Sequence, residues 1–455
     1  MSPRVVVLGG GPAGDVAALR GAQRGAEVVV VERAELGGTC LNWGCIPTKS
    51  LLATADLLRR IRRAGDLGLR VGEVTVDFAR MMARKEEVVG TMRHGVEAAC
   101  QRRGVRVVRG QGVLEDGAVR VDDERLDYDH LIVCVGTEPV GLPGIDMDHP
   151  RVVTSNGILR LERLPRRLLV IGGGVIGCEF ASFFAPLGVE VTVIEVLPQI
   201  LTGVEPRVVR EFRRLVEREG ITFHTGRRVE GVAYRDDGVT ATLDDGTALE
   251  VDLVLVSVGR APQTAGIGLE AAGVELTPQA HLVVDEFLRT ANPRIWGAGD
   301  CIGGLQLAHL GSAEGARAVE NALGVGVRPM DRTVVPCCIY THPEIAMVGL
   351  GAEAARAAGY DVTVGQARFL GNGKALGEGE PDGMVQLCTE AGSARILGAT
   401  VMGAHAVEII HEVGVAISDG LTAAELGDII HAHPTVSELI MDAAEQSEGL
   451  APYLS

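Results

Sequence analysis

Two segments of this chain read the same way. The apolar run Val5–Leu8 leads into Gly9-Gly10-Gly11-Pro12-Ala13-Gly14, a helix-compatible stretch follows, and a second run, Val28–Val31, ends on Glu32. The order recurs at Leu168–Ile171, then Gly172-Gly173-Gly174-Val175-Ile176-Gly177, a helical stretch, and Val191–Ile194 ending on Glu195. Each copy is strand, glycine turn, helix, strand, acid. The first glycine of such a turn permits the tight bend, the second lets backbone approach a pyrophosphate at the helix N-terminus, and the third lets helix and strand pack closely. The acid accepts hydrogen bonds from ribose hydroxyls. One such turn is a weak signal; two in the right context predict two dinucleotide sites. Glu195 would repel a 2′-phosphate, and Val196, Leu197 and Pro198 offer no arginine to receive one, so the second site is expected to prefer NAD to NADP.

Bulk properties narrow the class. A chain of 455 residues has room for about three domains. Only 3% of residues are aromatic against 46% hydrophobic, so the cores must be mostly aliphatic. A formal charge of -17 argues against nucleic acid or an anionic membrane as partner. No apolar run approaches a membrane span. A strand-like run begins at Arg4, which leaves no room for a targeting segment, and nine cysteines without a secretory signal point to a reducing compartment, so a cytoplasmic location is expected.

The cysteines carry the chemistry. GGTCLNWGCIPTK, residues 37–49, holds Cys40 and Cys45 five positions apart. They could form a metal half-site, two inert buried thiols, or a redox pair. Zinc sites favour two-to-four-residue spacings and a matching second pair, which is missing, so the redox reading is favoured and no metal is expected. A helix expected after Pro47 would start near Cys45, and Lys49 follows one turn later on the same face; both favour a thiolate. A disulfide is poorly suited to direct hydride attack, whereas a flavin can stand between nicotinamide and disulfide. The first dinucleotide is therefore read as FAD and the second as NAD.

At this point the residues resemble a known family, the pyridine nucleotide–disulfide oxidoreductases (class I). The resemblance spans nearly the whole chain, through GGGPAG at 9–14, GGTCLNWGCIPTK at 37–49, GGGVIGCE at 172–179, WGAGD at 296–300, LAH at 307–309, YTHPEIAMVG at 340–349 and HAHPTVSE at 431–438. Within the family the chain is most similar to the members that oxidise dihydrolipoyl groups. The resemblance implies an α/β fold: two Rossmann-like dinucleotide-binding domains, for FAD and NAD, plus a C-terminal α+β dimerisation domain. The expected division is 1–147 (FAD, with the disulfide), 148–265 (NAD), 266–333 (FAD and central part) and 334–455 (interface).

It also implies roles. Cys40 would be the interchange thiol and Cys45 the charge-transfer thiolate against the flavin. Lys49 would sit near the flavin's reactive nitrogen and pair with Glu179. FAD contacts would fall on Gly9, Gly11, Pro12, Ala13, Gly14, Glu32, Gly38, Thr39, Gly112, Gly136, Asp300 and Leu307-Ala308-His309. NAD contacts would fall on Gly172, Gly174, Val175, Ile176, Gly177, Glu179, Glu195, Val229 and Gly259. His433 would be the base, oriented by Glu438, and would reach the disulfide of the other subunit, so the active unit is a homodimer; His431 is left structural. The implied reaction is oxidation of a dihydrolipoyl group on an acyltransferase or carrier protein of a 2-oxoacid dehydrogenase or glycine cleavage complex, with NAD+ as acceptor. The alternatives are a glutathione- or mercuric-reductase-like enzyme, or a diaphorase. Against them stand Glu195 in place of an NADP-selecting arginine, a C-terminus without a cysteine pair, and the presence of His433 and Glu438. Departures from the pattern are Cys134-Val135, Ala261, Gln263, Gly297 and the adjacent Cys337-Cys338, read as small apolar residues of the interface domain.

Overall fold

The computed structural model describes residues 2–450. Three five-stranded sheets organise it, and the sequence repeat is visible in the first two. In the first sheet, strands Ile295–Gly297, His130–Val133, Arg4–Leu8, Glu27–Glu32 and Arg106–Arg109 run parallel in that order. In the second, the order is Ile221–Thr225, Glu190–Glu195, Arg167–Ile171, Leu253–Val256 and Val152–Thr154, again all parallel. Each is accompanied by a three-stranded antiparallel meander, at residues 112–127 and 229–251. The central strands are uninterrupted valine, leucine and isoleucine because a parallel sheet is covered on both faces. Val5–Leu8 and Leu168–Ile171 are accordingly buried along their whole length.

The crossover helices follow from the glycine turns. Pro12–Gln23 starts with proline in its first turn, where the missing N–H is no loss, and Val175–Phe184 starts at the equivalent point of the second copy. Residues 77–103, whose sequence reads as one long amphipathic helix, form helix Phe78–Arg102, opened by the Asp77 carboxylate accepting from the Arg80 amide. It packs on helix Cys45–Arg62. The low aromatic content is unevenly spent. Six of the eight phenylalanines (Phe78, Phe180, Phe183, Phe184, Phe212, Phe223) join one core, which spans the second sheet and helix Cys45–Arg62. That core fixes helix Cys45–Arg62 against helix Val175–Phe184.

The third sheet is antiparallel, in the order Cys337–Ile339, Ile345–Gly349, Ile396–Met402, Met384–Glu390, Val362–Arg368, with helices Ala406–Asp419 and Glu438–Ser447 packed on it. From residue 334 the sequence pattern reads as strand, helix, strand, strand, helix. The structure is richer. A three-residue edge strand, Cys337–Ile339, precedes Ile345–Gly349, and the short helices Ala352–Ala357, Gly373–Glu378 and Ala423–Gly427 are interspersed. Elements of three to six residues carry too few apolar positions to show a period.

Among the described residues no helix is long and apolar enough to cross a membrane.

Candidate functional site

The segment 37–49 folds into two consecutive helices, and the two cysteines fall one in each. Gly37, with φ +88°, caps the short helix Gly38–Trp43 that carries Cys40. Gly44 then breaks the chain, and Cys45 is the first residue of helix Cys45–Arg62. The helix therefore starts earlier than expected from Pro47, which sits in its first turn and forfeits no hydrogen bond there. The earlier start places Cys45 itself at the positive end of an 18-residue helix. Buried Asn42 ties the first helix down: its Nδ2 donates to the Leu36 and Gly38 carbonyls (2.9 and 3.0 Å), and its Oδ1 accepts from Arg93 Nε (3.0 Å).

One turn after Cys45, Lys49 Nζ lies 2.9 and 2.8 Å from the two carboxylate oxygens of Glu179, which is 4% exposed. Glu179 Oε1 also accepts from the Tyr340 amide at 3.0 Å, and the Lys49 ammonium stands 4.5 Å from the centre of the Tyr340 ring. Three parts of the fold meet here: the redox segment, the helix of the second glycine turn, and the start of the C-terminal sheet. Tyr340 escapes sequence reasoning because nothing in its own segment points back to Lys49.

The thiols are electrostatically unequal. Both are free thiols, and hydrogen bonding between the two sulfurs sets them apart. That bond drives Cys40 strongly upward, with burial adding to the rise. The same bond, helped by the Lys49 charge, outweighs burial and the Glu179 carboxylate and brings Cys45 down to about 7. In the reduced pair the proton therefore resides on Cys40 and the negative charge on Cys45.

Cys40, Cys45, Lys49 and Glu179 open on one continuous cavity of about 2690 Å³. Its walls include Gly9, Gly11, Pro12, Ala13 and Glu32 of the first repeat, and Gly172, Gly174, Val175, Ile176 and Glu195 of the second. Gly38, Thr39, Gly112, Gly136, Val229, Gly259, Asp300 and Leu307–His309 also line it. Gly14 and Gly177 do not; each lies beneath its turn, where a Cβ would come within 1.8 Å and 2.0 Å of the carbonyl oxygens of Gly9 and Gly172. Gly11 and Gly174 are the N-caps of their helices, and a side chain on Gly174 would project into open space. Two helix N-termini, each with bare backbone facing one cavity, fit two pyrophosphates. On the same cavity the buried Gln263 Oε1 lacks a protein partner, and the start of helix Ala308–Ala322 offers unpaired amides, as a polar heterocycle in that space requires. The residues present thus fit a flavin dinucleotide along the first repeat and a pyridine dinucleotide along the second.

The acids that end each repeat do more than the sequence implies. Glu32 accepts from the Gly10 and Ala34 amides, both at 2.7 Å. Glu195 accepts from the Gly173 and Leu197 amides at 2.7 and 2.8 Å. Each carboxylate pins its own glycine turn, so the two halves share a stabilising contact as well as a topology.

His433 lies elsewhere. Its side chain is 80% exposed on the C-terminal part, away from the cavity wall of its own chain. Its Nδ1 is 2.8 Å from Glu438 Oε1, and Glu438 Oε2 accepts from the Thr435 amide at 2.8 Å. Burial would raise Glu438, but the Thr435 amide and the His433 ring hold it below the usual range. The outer ring nitrogen Nε2 is left pointing away from its carboxylate. The His431 side chain, by contrast, is only 6% exposed, with Nε2 2.6 Å from Glu412 Oε1. Among the described residues no group of three or more His, Cys, Asp and Glu is placed to hold a metal ion.

Comparison with known proteins agrees with this geometry. Residues 3–315 match the profile of the pyridine nucleotide-disulphide oxidoreductases, and residues 335–444 match the dimerisation domain of the same family. A dihydrolipoyl dehydrogenase of Chlorobaculum tepidum is 39% identical over 450 residues, covering 97% of this chain and 96% of that protein. One from Bacillus subtilis is 38% identical over 466 residues, covering 98% of each. Among solved structures, LpdA of Mycobacterium tuberculosis superposes with a TM-score of 0.92 at 29% identity, covering 98% of this chain and 99% of that one. The HOCl-induced flavoprotein disulfide reductase RclA of Escherichia coli gives 0.89 at 30% identity, covering 97% and 99%. The chain belongs to the pyridine nucleotide-disulfide oxidoreductase family.

Proposed function

We propose that this chain is an FAD-dependent enzyme that oxidises dihydrolipoyl groups, carried on an acyltransferase or carrier protein, with NAD+ as the final acceptor. The observation that carries the reading is the joint placement of Cys40, Cys45 and the Lys49–Glu179 pair on the single cavity that runs between the two glycine turns. In this reading residues 1–147 and 266–333 hold the flavin, 148–265 the nicotinamide dinucleotide, and 334–455 form the homodimer contact, which the family's dimerisation domain supports.

The chemistry follows from the residues. One substrate thiol loses its proton to Nε2 of the histidine at 433 in the second subunit, held in orientation by its Glu438. The sulfur attacks Cys40 Sγ, the Cys40–Cys45 bond breaks, and Cys45 leaves as a thiolate. Its depressed pKa makes it the better leaving group. The second substrate thiol then displaces Cys40, giving the cyclic lipoyl disulfide and a Cys40 thiol. Two electrons have passed to the cysteines. Bound FAD supplies the two-electron path from Cys45 to NAD+. Lys49, paired with Glu179, keeps a positive charge beside that path, and Glu195 excludes a 2′-phosphate from the second site. The test is dihydrolipoamide-dependent NAD+ reduction by the purified flavoprotein. Cys40→Ser and Cys45→Ser should each abolish it while leaving the flavin bound; full turnover by either variant refutes the assignment.

A further inference from the structure

The adenosine end of the second site has positive charge after all, and it comes from beyond the next strand. Strand Ile221–Thr225 lies beside Glu190–Glu195, and the register sets Thr225 opposite Glu195. The turn that follows is bonded to the loop after Glu195: the Gly226 amide donates to the Leu197 carbonyl at 2.9 Å, and the Arg227 amide to the Glu195 carbonyl at 3.1 Å. Arg227, Arg228 and Val229 thereby join Glu195 and Leu197 in the wall of the cavity. Residues 196–198 hold no arginine, but two stand across these hydrogen bonds.

The two arginines are not equivalent. Arg227 is occupied: its Nε lies 3.2 Å from Asp245 Oδ2 and its Nη1 3.8 Å from Asp244 Oδ1, in the turn of the neighbouring meander. Arg228 is exposed and, among the described residues, joins no ion pair. Its backbone is nevertheless fixed, because its carbonyl accepts from the Asp244 amide at 3.0 Å and the next residue, Val229, is buried. Glu195 is fixed as well. The Gly173 and Leu197 amides each hold one of its oxygens, so the carboxylate is tethered and does not swing away from an incoming phosphate. One immobile negative charge and one uncommitted positive charge thus stand on two backbone segments bonded to each other.

Building on the pyridine dinucleotide site proposed above, we propose that Arg228 is a specificity-determining residue of that site: the preference for NAD over NADP rests on the Glu195 charge, and Arg228 supplies the counter-charge that a 2′-phosphate meets once the Glu195 charge is removed. Repulsion by Glu195 and attraction by Arg228 act on the same phosphate, so discrimination is the difference between them.

The test is calorimetric binding of adenosine 2′,5′-bisphosphate and of 5′-AMP, which differ by the 2′-phosphate alone, to the flavin-loaded protein. The readout is the ratio of the two dissociation constants, so a variant that weakens both ligands equally leaves it unmoved. Glu195→Gln, whose amide oxygen can still accept from a turn amide, should shift the ratio toward the bisphosphate by about 10-fold or more, and adding Arg228→Gln should reverse most of that gain. Arg228→Gln alone, at an exposed position that does not endanger folding, should shift the ratio away from the bisphosphate. NADP+-dependent reoxidation of the dithiol-reduced protein should rank the variants in the same order. A gain in Glu195→Gln that survives Arg228→Gln, or a ratio that Arg228→Gln leaves unchanged in both backgrounds, would overturn the role of Arg228. A wild-type protein that binds neither ligand would overturn the dinucleotide reading of the second repeat itself, and the proposal with it.

Discussion

Replacing Glu179 by glutamine makes two opposite things happen at once, and both can be worked out from the structure. The carboxylate is 4% exposed and accepts both a bidentate contact from Lys49 and the Tyr340 amide. Removing its charge leaves the Lys49 ammonium without its anion. Breaking a fully buried pair costs roughly 3–5 kcal/mol. The Lys49 side chain is 30% exposed and can recruit water, so about 2 kcal/mol is the expected loss in folding free energy. At Cys45 the sign is reversed. The Glu179 charge pushes its pKa up and the Lys49 charge pulls it down. With Glu179 neutral, the thiolate gains the unshared ammonium, and Cys45 must titrate below its present value of about 7. Lys49→Met must move it the other way. The assay pairs urea unfolding with pH titration of the thiolate band in the reduced holoenzyme. A Glu179→Gln protein that is less stable and titrates lower bears out the argument. One whose midpoint rises, or is unmoved, refutes the claim that the Glu179 charge opposes the thiolate at Cys45.

Other outcomes follow from the same geometry. Mixing equal amounts of Cys45→Ser and His433→Ala protomers after dissociation should restore about a quarter of wild-type turnover from two inactive parents, because half the dimers then hold one intact shared site; no recovery would mean that the histidine serves its own chain. The reduced protein should gain stability as pH rises from about 7 to 9. Cys45, depressed from 9.0, contributes above its unfolded value and loses that contribution as pH falls through about 7. Above pH 9 the raised Cys40 works the other way, so stability in urea should peak near there, and the oxidised form should lack the rise. Glu438→Gln should lower dithiol oxidation by about 10- to 100-fold and raise its dependence on pH, without changing flavin content or NADH-driven flavin reduction. Asn42→Ala frees two carbonyls and Arg93, and should cost roughly 1–3 kcal/mol and loosen the Cys40 helix, read as faster alkylation of Cys40.

What the sequence shows of this protein is set by how local each feature is. Both dinucleotide folds are visible because strand, turn, helix and acid lie within 28 residues in each repeat, and steric exclusion around Gly14 and Gly177 permits little else. The cysteine pair is visible for the same reason. The start of its helix is not: Pro47 looks like a boundary, yet a first-turn proline is fully compatible with a helix that opens two residues earlier. Tyr340 is invisible because its partner, Glu179, lies 161 residues away, and no periodicity encodes such a meeting. The tethers from Glu32 and Glu195 to their glycine turns are hidden differently. The ribose role accounts for each acid so well that no second role is sought. The pairing of His433 with Glu438 comes from the family resemblance and not from spacing, and the structure gives the two a hydrogen bond.

Vicinal Cys337 and Cys338 stay outside the redox account. They sit in the edge strand Cys337–Ile339, where successive side chains leave opposite faces, Cys338 toward the C-terminal core and Cys337 paired with Met347. Burial raises both thiols, Cys338 to about 11, so neither is a thiolate at neutral pH. They belong to the packing of the third sheet.

The most direct test of the central claim is an anaerobic titration of the purified protein with dihydrolipoamide, followed by NAD+, with the absorption spectrum read throughout. Growth of a long-wavelength thiolate–flavin band, then reoxidation by NAD+ but not by NADP+, is the predicted course and tests the cysteine pair, the flavin and the choice at Glu195 in one experiment. A flavin that ignores dihydrolipoamide and responds to NADH alone would contradict it.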